Sequence, residues 1–306
     1  MSKLVVLGSV NADHVLQVPH FPRPGETLQG HSYSIISGGK GANQAVAAAR
    51  MKADIAFIAC VGNDDIGHAM RNAFSELGMD INAVMMEEQM PTGIAMIQVS
   101  ETGENSICIA PEANGCLTPE RIQPHIGKIQ NADTLLMQLE SPLETIAAAA
   151  KIAVESGTTV VLNPAPALPL SDDVLCMIDI ITPNETEAEV LTGVSITDDE
   201  SAQQAANVLH GKGIAAVLIT LGKQGVWLSE NGKGRKVAGF PVEATDTTAA
   251  GDTFNGAFVS AIQEGQSIVD SVRFGNAAAA ISVTRFGAQT SIPTREEVEA
   301  FLTELA

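Results

Sequence analysis

Ala244-Thr245-Asp246-Thr247-Thr248-Ala249-Ala250-Gly251-Asp252-Thr253-Phe254-Asn255-Gly256-Ala257-Phe258 is the stretch from which the rest of the chain is best read. It opens as a small, polar, glycine-containing turn. It then passes into a segment whose apolar residues Phe254, Ala257, Phe258, Ala261 and Ile262 recur at helical spacing. Asp252 therefore falls about where a helix begins. The free N–H groups of Ala250, Gly251 and Asp252 are expected to point outward there, backed by the positive end of the helix dipole. Such a terminus attracts an anion, phosphate above all. A carboxylate in the same place opposes that attraction unless it has its own task. Accepting a proton from a hydroxyl that attacks the phosphate is such a task, with the amides holding the transferring group. Read from Gly251-Asp252-Thr253 alone, an N-cap aspartate is the plainer account.

Working outward, Leu4-Val5-Val6-Leu7 is an all-apolar run of the kind buried on both faces of a parallel sheet. Asn11 and Asp13 follow at its C-terminal end, where ligands of such sheets collect. One residue apart on extended chain, they project to one side and suit vicinal hydroxyls; a turn accounts for them equally well. Residues 14–18 and 27–36 read as strands joined through Pro19, Pro22, Pro24 and Gly25, an antiparallel excursion from the main sheet. Next, Ser37-Gly38-Gly39-Lys40-Gly41-Ala42-Asn43-Gln44 leads into an Ala-rich helix over 45–51. Its glycines allow backbone to approach a ligand, and Lys40 and Asn43 lie one turn apart. The spacing is not that of a Walker A loop. Residues 54–61 form a strand and 66–77 a helix ended by Gly78; 92–100 and 105–110 form a hairpin around Gly103.

From Pro119 the chain alternates. A helix to 129 precedes strand 134–139, with Glu140 at its end. Helix 143–155, closed by Gly157, precedes strands 159–162 and 179–181. Strand 216–220 runs into Leu221-Gly222-Lys223-Gln224-Gly225, a glycine-flexed turn at the ligand edge. Strands 226–229 and 236–240 flank the turn Glu230-Asn231-Gly232. Helix 272–283 contains Asn276, and a loop rich in carbonyls and hydroxyls covers 284–291. Gly211-Lys212-Gly213 fits a G-x-G-x-x-A pattern but follows a helix, so it reads as a C-cap. Asn184 and Glu187 share one face of a starting helix. They suit either a hydrated Mg²⁺ or simple complementarity to the helix dipole. The fold class expected is α/β, a doubly wound, mostly parallel sheet flanked by helices, with a small four-stranded β lid. Residues 1–12, 38–90 and 111–306 make the nucleotide- and sugar-binding domain; 13–37 and 91–110 make the lid.

Composition narrows the function. With 36 acidic against 17 basic side chains and a net charge of −19, neither nucleic acid nor an anionic membrane is an expected partner. An anionic substrate then needs concentrated N–H groups, Lys or Mg²⁺. The four cysteines form no C-x-x-C pair and read as buried, reduced thiols of a cytoplasmic protein. The six histidines are scattered, which argues against zinc. No apolar run is long enough to span a bilayer, and no G-x-S-x-G supports a hydrolase.

Thr247-Thr248-Ala249-Ala250-Gly251-Asp252-Thr253-Phe254 resembles the C-terminal signature of the ribokinase-like carbohydrate and purine kinases. Gly38-Gly39-Lys40-Gly41-Ala42-Asn43 resembles their N-terminal signature, and Asn184-x-x-Glu187 a further motif. The similar segments run from Gly8 to Ser291, nearly the whole chain. Within the family, Gly8–Asp13, Gly38–Asn43 and Thr247–Phe254 look most like the kinases of D-ribose. The resemblance implies ATP-dependent transfer of the γ-phosphoryl group to the 5-hydroxyl of D-ribose. Asp252 would then be the base, and the turn Ala249, Ala250, Gly251, Asp252 the anion hole. It further implies that Asn11, Asp13, Gly39, Lys40, Asn43, Glu140 and Asp252 hold the sugar. Asn184, Glu187, Thr220, Gly222, Lys223, Gly225, Gly251 and Asn276 would serve the nucleotide with its Mg²⁺. A K⁺ site would use Asp246, Thr248, Ser282, Arg285, Gly287 and Ser291, and a homodimer would form through the lid. Two other readings stay open: a related kinase for deoxyribose, fructose or a nucleoside, and a non-catalytic sugar sensor.

Overall fold

The computed structural model describes residues 3–304. Its strands in chain order are β1 (Leu4–Leu7), β2 (Asn11–Val18), β3 (Ser32–Gly38), β4 (Ile55–Gly62), β5 (Asp80–Glu87), β6 (Gly93–Ser100), β7 (Asn105–Ala110), β8 (Thr134–Met137), β9 (Thr159–Leu162), β10 (Ile180–Ile181), β11 (Ala216–Thr220), β12 (Gly225–Glu230) and β13 (Lys233–Ala238). Nine of them form one sheet, in the order β13-β12-β11-β10-β9-β8-β1-β4-β5. It is parallel from β11 to β5 and closes with the antiparallel pairs β11/β12 and β12/β13. The apolar run at residues 4–7 becomes central because helices cover both sides of it. Val5 and Leu7 pack into one layer with Ile146 and Ala149 of helix Leu143–Ser156 and Ala205 of helix Asp199–His210. Leu4 and Val6 pack into the other with Val46 of helix Lys40–Arg50 and Phe254 and Phe258 of helix Ala250–Gln263. Alternate side chains of one short strand thus nucleate both cores.

The other four strands form a second sheet in the order β3-β2-β6-β7. The chain leaves the C-terminal end of β1 through Gly8-Ser9-Val10 and enters β2 directly, carrying Asn11 and Asp13 over the edge of the main sheet. Asn11 and Asp13 are therefore on a strand, not a turn. The expected antiparallel excursion holds for β2/β3 and β6/β7, whereas β2 and β6 pair in parallel because β6 starts beside Asn11.

Several element boundaries differ from expectation. Residues 27–31 are not strand; β3 begins at Ser32. The Ala-rich helix starts at Lys40 rather than 45, since Gly39 takes φ 91° and turns the chain straight into it. β5 was not anticipated: its alternating half-buried pattern at the sheet edge is a weak periodic signal. Residues 119–130 break into Pro119–Ile122, a 3₁₀ turn Gln123–His125 and Ile126–Gln130, with Pro124 denying the helix a backbone donor. Strand β8 stops at Met137, β13 is Lys233–Ala238, and the helix holding Asn276 begins at Ile268. All four cysteines are free, but Cys108 and Cys176 are exposed and only Cys60 is fully buried. Among the described residues no helix is long and apolar enough to cross a membrane.

Candidate active site

Helices Lys40–Arg50 and Ala250–Gln263 both start near the edge over which β2 passes, and one glycine lets them touch. A Cβ at Gly256 would lie 2.4 Å from Ala47 Cβ and 2.5 Å from the Gln44 carbonyl oxygen. With hydrogen alone at 256, Asn43 and Gln44 come within bonding distance of Asp252. Asn43 Nδ2 donates to Asp252 Oδ2 at 3.0 Å, and Gln44 Nε2 to Asp252 Oδ1 at 2.9 Å. Asp252 is the third residue of its helix, not its cap. The cap position is Ala249, held at φ 58° in the left-handed region and so delivering the chain sharply into the helix. Of the three amides expected to be free, that of Ala250 donates to Thr247 O at 3.2 Å, closing the turn. The N–H groups of Gly251 and Asp252 meet no protein acceptor among the described residues. A Cβ at Gly251 would touch nothing within 4 Å, so the space before it is open.

That space is a cavity of about 340 Å³ lined by Ala249, Ala250, Gly251, Asp252, Lys40, Asn184, Glu187, Thr220 and Gly222, among others. The structure thus unites residues from five separate parts of the chain. Lys223, Gly225 and Asn276 do not line it. Asn276 Nδ2 donates instead to the carbonyls of Val237 and Ala238, pinning the end of β13. Asn184 caps helix Glu185–Thr192 and Glu187 completes a capping box: Glu187 N–H donates to Asn184 Oδ1, and Asn184 N–H to Glu187 Oε2. The helix-start reading of that pair holds in the capping box, and Glu187 also faces the cavity. Among the described residues no three His, Cys, Asp or Glu side chains gather to hold a metal.

Of the sugar candidates, Lys40 and Asp252 line this cavity, and Asn11, Asp13, Gly39, Asn43 and Glu140 do not. Asp13 is buried under the small sheet, its carboxylate filling the place where Gly38 lacks a side chain: a Cβ there would meet Asp13 Oδ2 at 2.0 Å. Burial, together with the nearby carboxylates of Glu140 and Asp252, pushes Asp13 up to about 7, against the pull of Lys40. Glu140 accepts from Ser9 Oγ at 2.6 Å and from the Lys40 amide at 3.0 Å. Burial acts to lower the Lys40 pKa, but Asp252, Glu140, Glu187 and Asp13 together outweigh it and hold the ammonium charged above its ordinary value. Its side chain pairs directly with no carboxylate among the described residues. Glu187 is raised by burial. Asn43 Oδ1 is buried without a donor among the described residues.

The candidate K⁺ residues form a knot beside the turn. Asp246 Oδ1 accepts from Thr248 N and Oγ1, and Oδ2 from Gly287 N, while Thr245 and Asp246 donate to Val283 O. Ser282 O is engaged by the Arg285 amide, and the Arg285 side chain pairs with Glu297. Ser291 is buried, its hydroxyl on Ala288 O.

Several residues that build the site were missed at the sequence level. Gln44 also donates to Asn163 and accepts from Gln138; Thr182 donates to Asn255, which holds Gly251 O. Asn114 donates to Asn11 Oδ1 and Val10 O and accepts from Val10 N, so the loop after β7 fixes the entry to β2. An uncharged polar residue inside an Ala-rich helix was the one visible sign of Gln44.

This geometry has close counterparts. The model of the pfkB family carbohydrate kinases matches residues 1–295. A ribokinase of Haemophilus influenzae is 57% identical over 98% of both chains. One of Staphylococcus aureus is 44% identical over 97% of this chain and 98% of its own. A ribokinase of Arabidopsis thaliana, solved with ribose and ATP, superimposes with a TM-score of 0.93 at 34% identity over 98% of each chain. With a carboxylate held between two side-chain amides, open helix-terminal N–H groups beside it and this likeness throughout, the chain belongs to the pfkB family of carbohydrate kinases.

Proposed function

We propose that this chain phosphorylates D-ribose with ATP, giving ribose 5-phosphate and ADP. The observation that carries the reading is the position of Asp252: it faces the cavity, its carboxylate is held by Asn43 and Gln44, and two unshared amides adjoin it. Asn11, Asp13, Gly39, Lys40, Asn43 and Glu140 hold the sugar, Asn43 Oδ1 and the Asp13 carboxylate accepting from its hydroxyls. Asn184, Thr220 and Gly222 face the nucleotide; Lys223, Gly225 and Asn276 support its loops from behind. The 5-hydroxyl gives its proton to Asp252 as its oxygen bonds to the γ-phosphorus, and the bond to the β-phosphate oxygen breaks with release of ADP. Gly251 and Asp252 N–H, with the helix dipole, stabilise the charge on the transferring group. Lys40 adds a positive charge at the same place.

The donor sets fit both expected metals. Glu187, already tied to Asn184, suits the outer waters of a hydrated Mg²⁺ carried by the nucleotide rather than an all-protein cage. The carbonyls of Asp246, Thr248, Arg285 and Gly287 accept no hydrogen bond among the described residues, beside a carboxylate, which suits a monovalent cation. When bound, Mg²⁺ neutralises phosphate charge and K⁺ strengthens the field of the turn. A homodimer through the small sheet completes the reading. By strand register, Val15, Ile97 and Ile107 form an apolar row on the face that carries Asp13, and Ile107 and Ile109 are 51% and 45% exposed. Four strands offer no second layer of their own to cover it.

The test is ADP release in a coupled assay with D-ribose, 2-deoxyribose, fructose and a nucleoside, each with and without K⁺. D-ribose is expected to give the highest kcat/KM, and Asp252→Asn to lower kcat by ~10²–10⁴-fold with ribose binding retained. Ribose binding without ADP release would leave only a sensor.

A further inference from the structure

We propose that Gln44 is a positioning residue for the base: a chain of buried amides, Gln138, Gln44 and Asn163, fixes the plane of the Asp252 carboxylate. This rests on the reading of Asp252 as the group that takes the 5-hydroxyl proton. An ionised carboxylate only accepts hydrogen bonds, so Gln44 has to present its nitrogen to Asp252 Oδ1, 2.9 Å away. The second hydrogen of the same nitrogen goes to Asn163 Oδ1, also at 2.9 Å. That leaves Gln44 Oε1 as an acceptor, and Gln138 Nε2 meets it at 2.6 Å. Asn163, having accepted, donates its own nitrogen to Thr182 O at 3.0 Å. Each amide therefore has one permitted orientation, and the charge on Asp252 dictates all three.

Burial makes the chain stiff. Gln44 and Gln138 are both 0% exposed, so bulk solvent reaches neither side chain. The far end of the chain is open: Gln138 Oε1 has no donor among the described residues, and it occupies the space where a Cβ on Gly8 would come within 2.1 Å. Reversing Gln138 would set two oxygens face to face at Gln44. The orientation that leaves this acceptor without a protein partner is the one in which the donor direction runs toward Asp252. Asn43 Nδ2 holds the other oxygen at 3.0 Å, which stops the carboxylate rotating. Each carboxylate oxygen keeps a further lone pair, and Asp252 lines the cavity, so the hydroxyl still has an acceptor of fixed direction.

Gln44→Met keeps the length and removes the donor. Its kcat is expected to fall about 30–100-fold with the ribose KM within about threefold, since a misdirected base spoils the reacting geometry and not the binding. In the Asp252→Asn background the same change is expected to cost less than about threefold, because the group it positions is gone. Gln138→Met, which frees Gln44 to turn, is expected to lower kcat about tenfold with the ribose Kd by calorimetry unchanged. An unchanged kcat in folded Gln44→Met, or an equal loss in both backgrounds, overturns the proposal and makes Gln44 a packing residue. Should Gln44→Met not fold, Gln138→Met decides: full kcat there overturns it. Near-normal turnover of Asp252→Asn alone overturns the base reading and this proposal together.

Discussion

Asp13 shows how the site stores electrostatic conflict in a single side chain. Folding raises its pKa from 3.8 to about 7, through burial first and then through Glu140 and Asp252. The folded protein holds this proton more tightly than the unfolded chain, so the associated stability is complete below about pH 4 and is lost as pH rises through about 7. At about 1.4 kcal/mol for each pH unit, the loss is of the order of 4 kcal/mol. Without sugar, Asp13→Asn should therefore melt at about the same temperature as the parent at pH 4 and above it at pH 8. Equal melting temperatures at both pH values would contradict the assignment. A sugar hydroxyl that donates to the Asp13 carboxylate relieves the same conflict, so bound ribose should narrow the gap at pH 8. Gly38 belongs to this account, because any side chain there would occupy the carboxylate's own volume.

At the level of elements, the start of helix Glu185–Thr192 does two jobs with one carboxylate. Glu187 closes the capping box with Asn184 and also looks into the cavity. Glutamine retains an oxygen for the cap but removes the charge, which separates the two roles. Glu187→Gln is expected to change the melting temperature little, as a cap is worth about 1 kcal/mol and part of it survives. The Mg²⁺ concentration needed for half-maximal rate is expected to rise several-fold, because the charge that orders the ion's outer waters is gone. An unaltered Mg²⁺ titration would leave Glu187 as a cap only. The helix pair Lys40–Arg50 and Ala250–Gln263 makes the complementary point. Their contact at Gly256 sets the distance from Asn43 and Gln44 to Asp252, so the proposed chemistry depends on a residue that does not line the cavity.

Across the whole molecule, the proposed homodimer would tie assembly to the proposed sugar site. Asp13 and the row Val15, Ile97 and Ile107 lie on one face, so a partner covering that row also covers the approach to Asp13. Ile107→Glu places a charge in the row at a residue already 51% exposed in the single chain. The monomer should therefore still fold, while sedimentation velocity is expected to show the dimer replaced by monomer. A dimer of undiminished stability would move the interface elsewhere.

Much of this was legible from residues alone. The run at 4–7 announced a doubly covered strand, Gly157 a helix end, and the turn at 249–252 a helix terminus with an acid in its first turn. These follow from local rules: apolar period, left-handed glycine and unsatisfied terminal amides. What the residues could not declare was contact between distant segments. Gln44 lies 208 residues from Asp252 in the chain, and Asn114 lies 103 from Asn11. A neutral amide leaves no periodic or charge signature, so its orientation is decided only once packing removes water and leaves one partner. The Ala250 amide, bonded to Thr247 by the closing of its own turn, was likewise settled by backbone geometry. Sequence determined which groups are candidates for the chemistry; tertiary packing decided which of them face one another, because burial makes an unmade hydrogen bond costly.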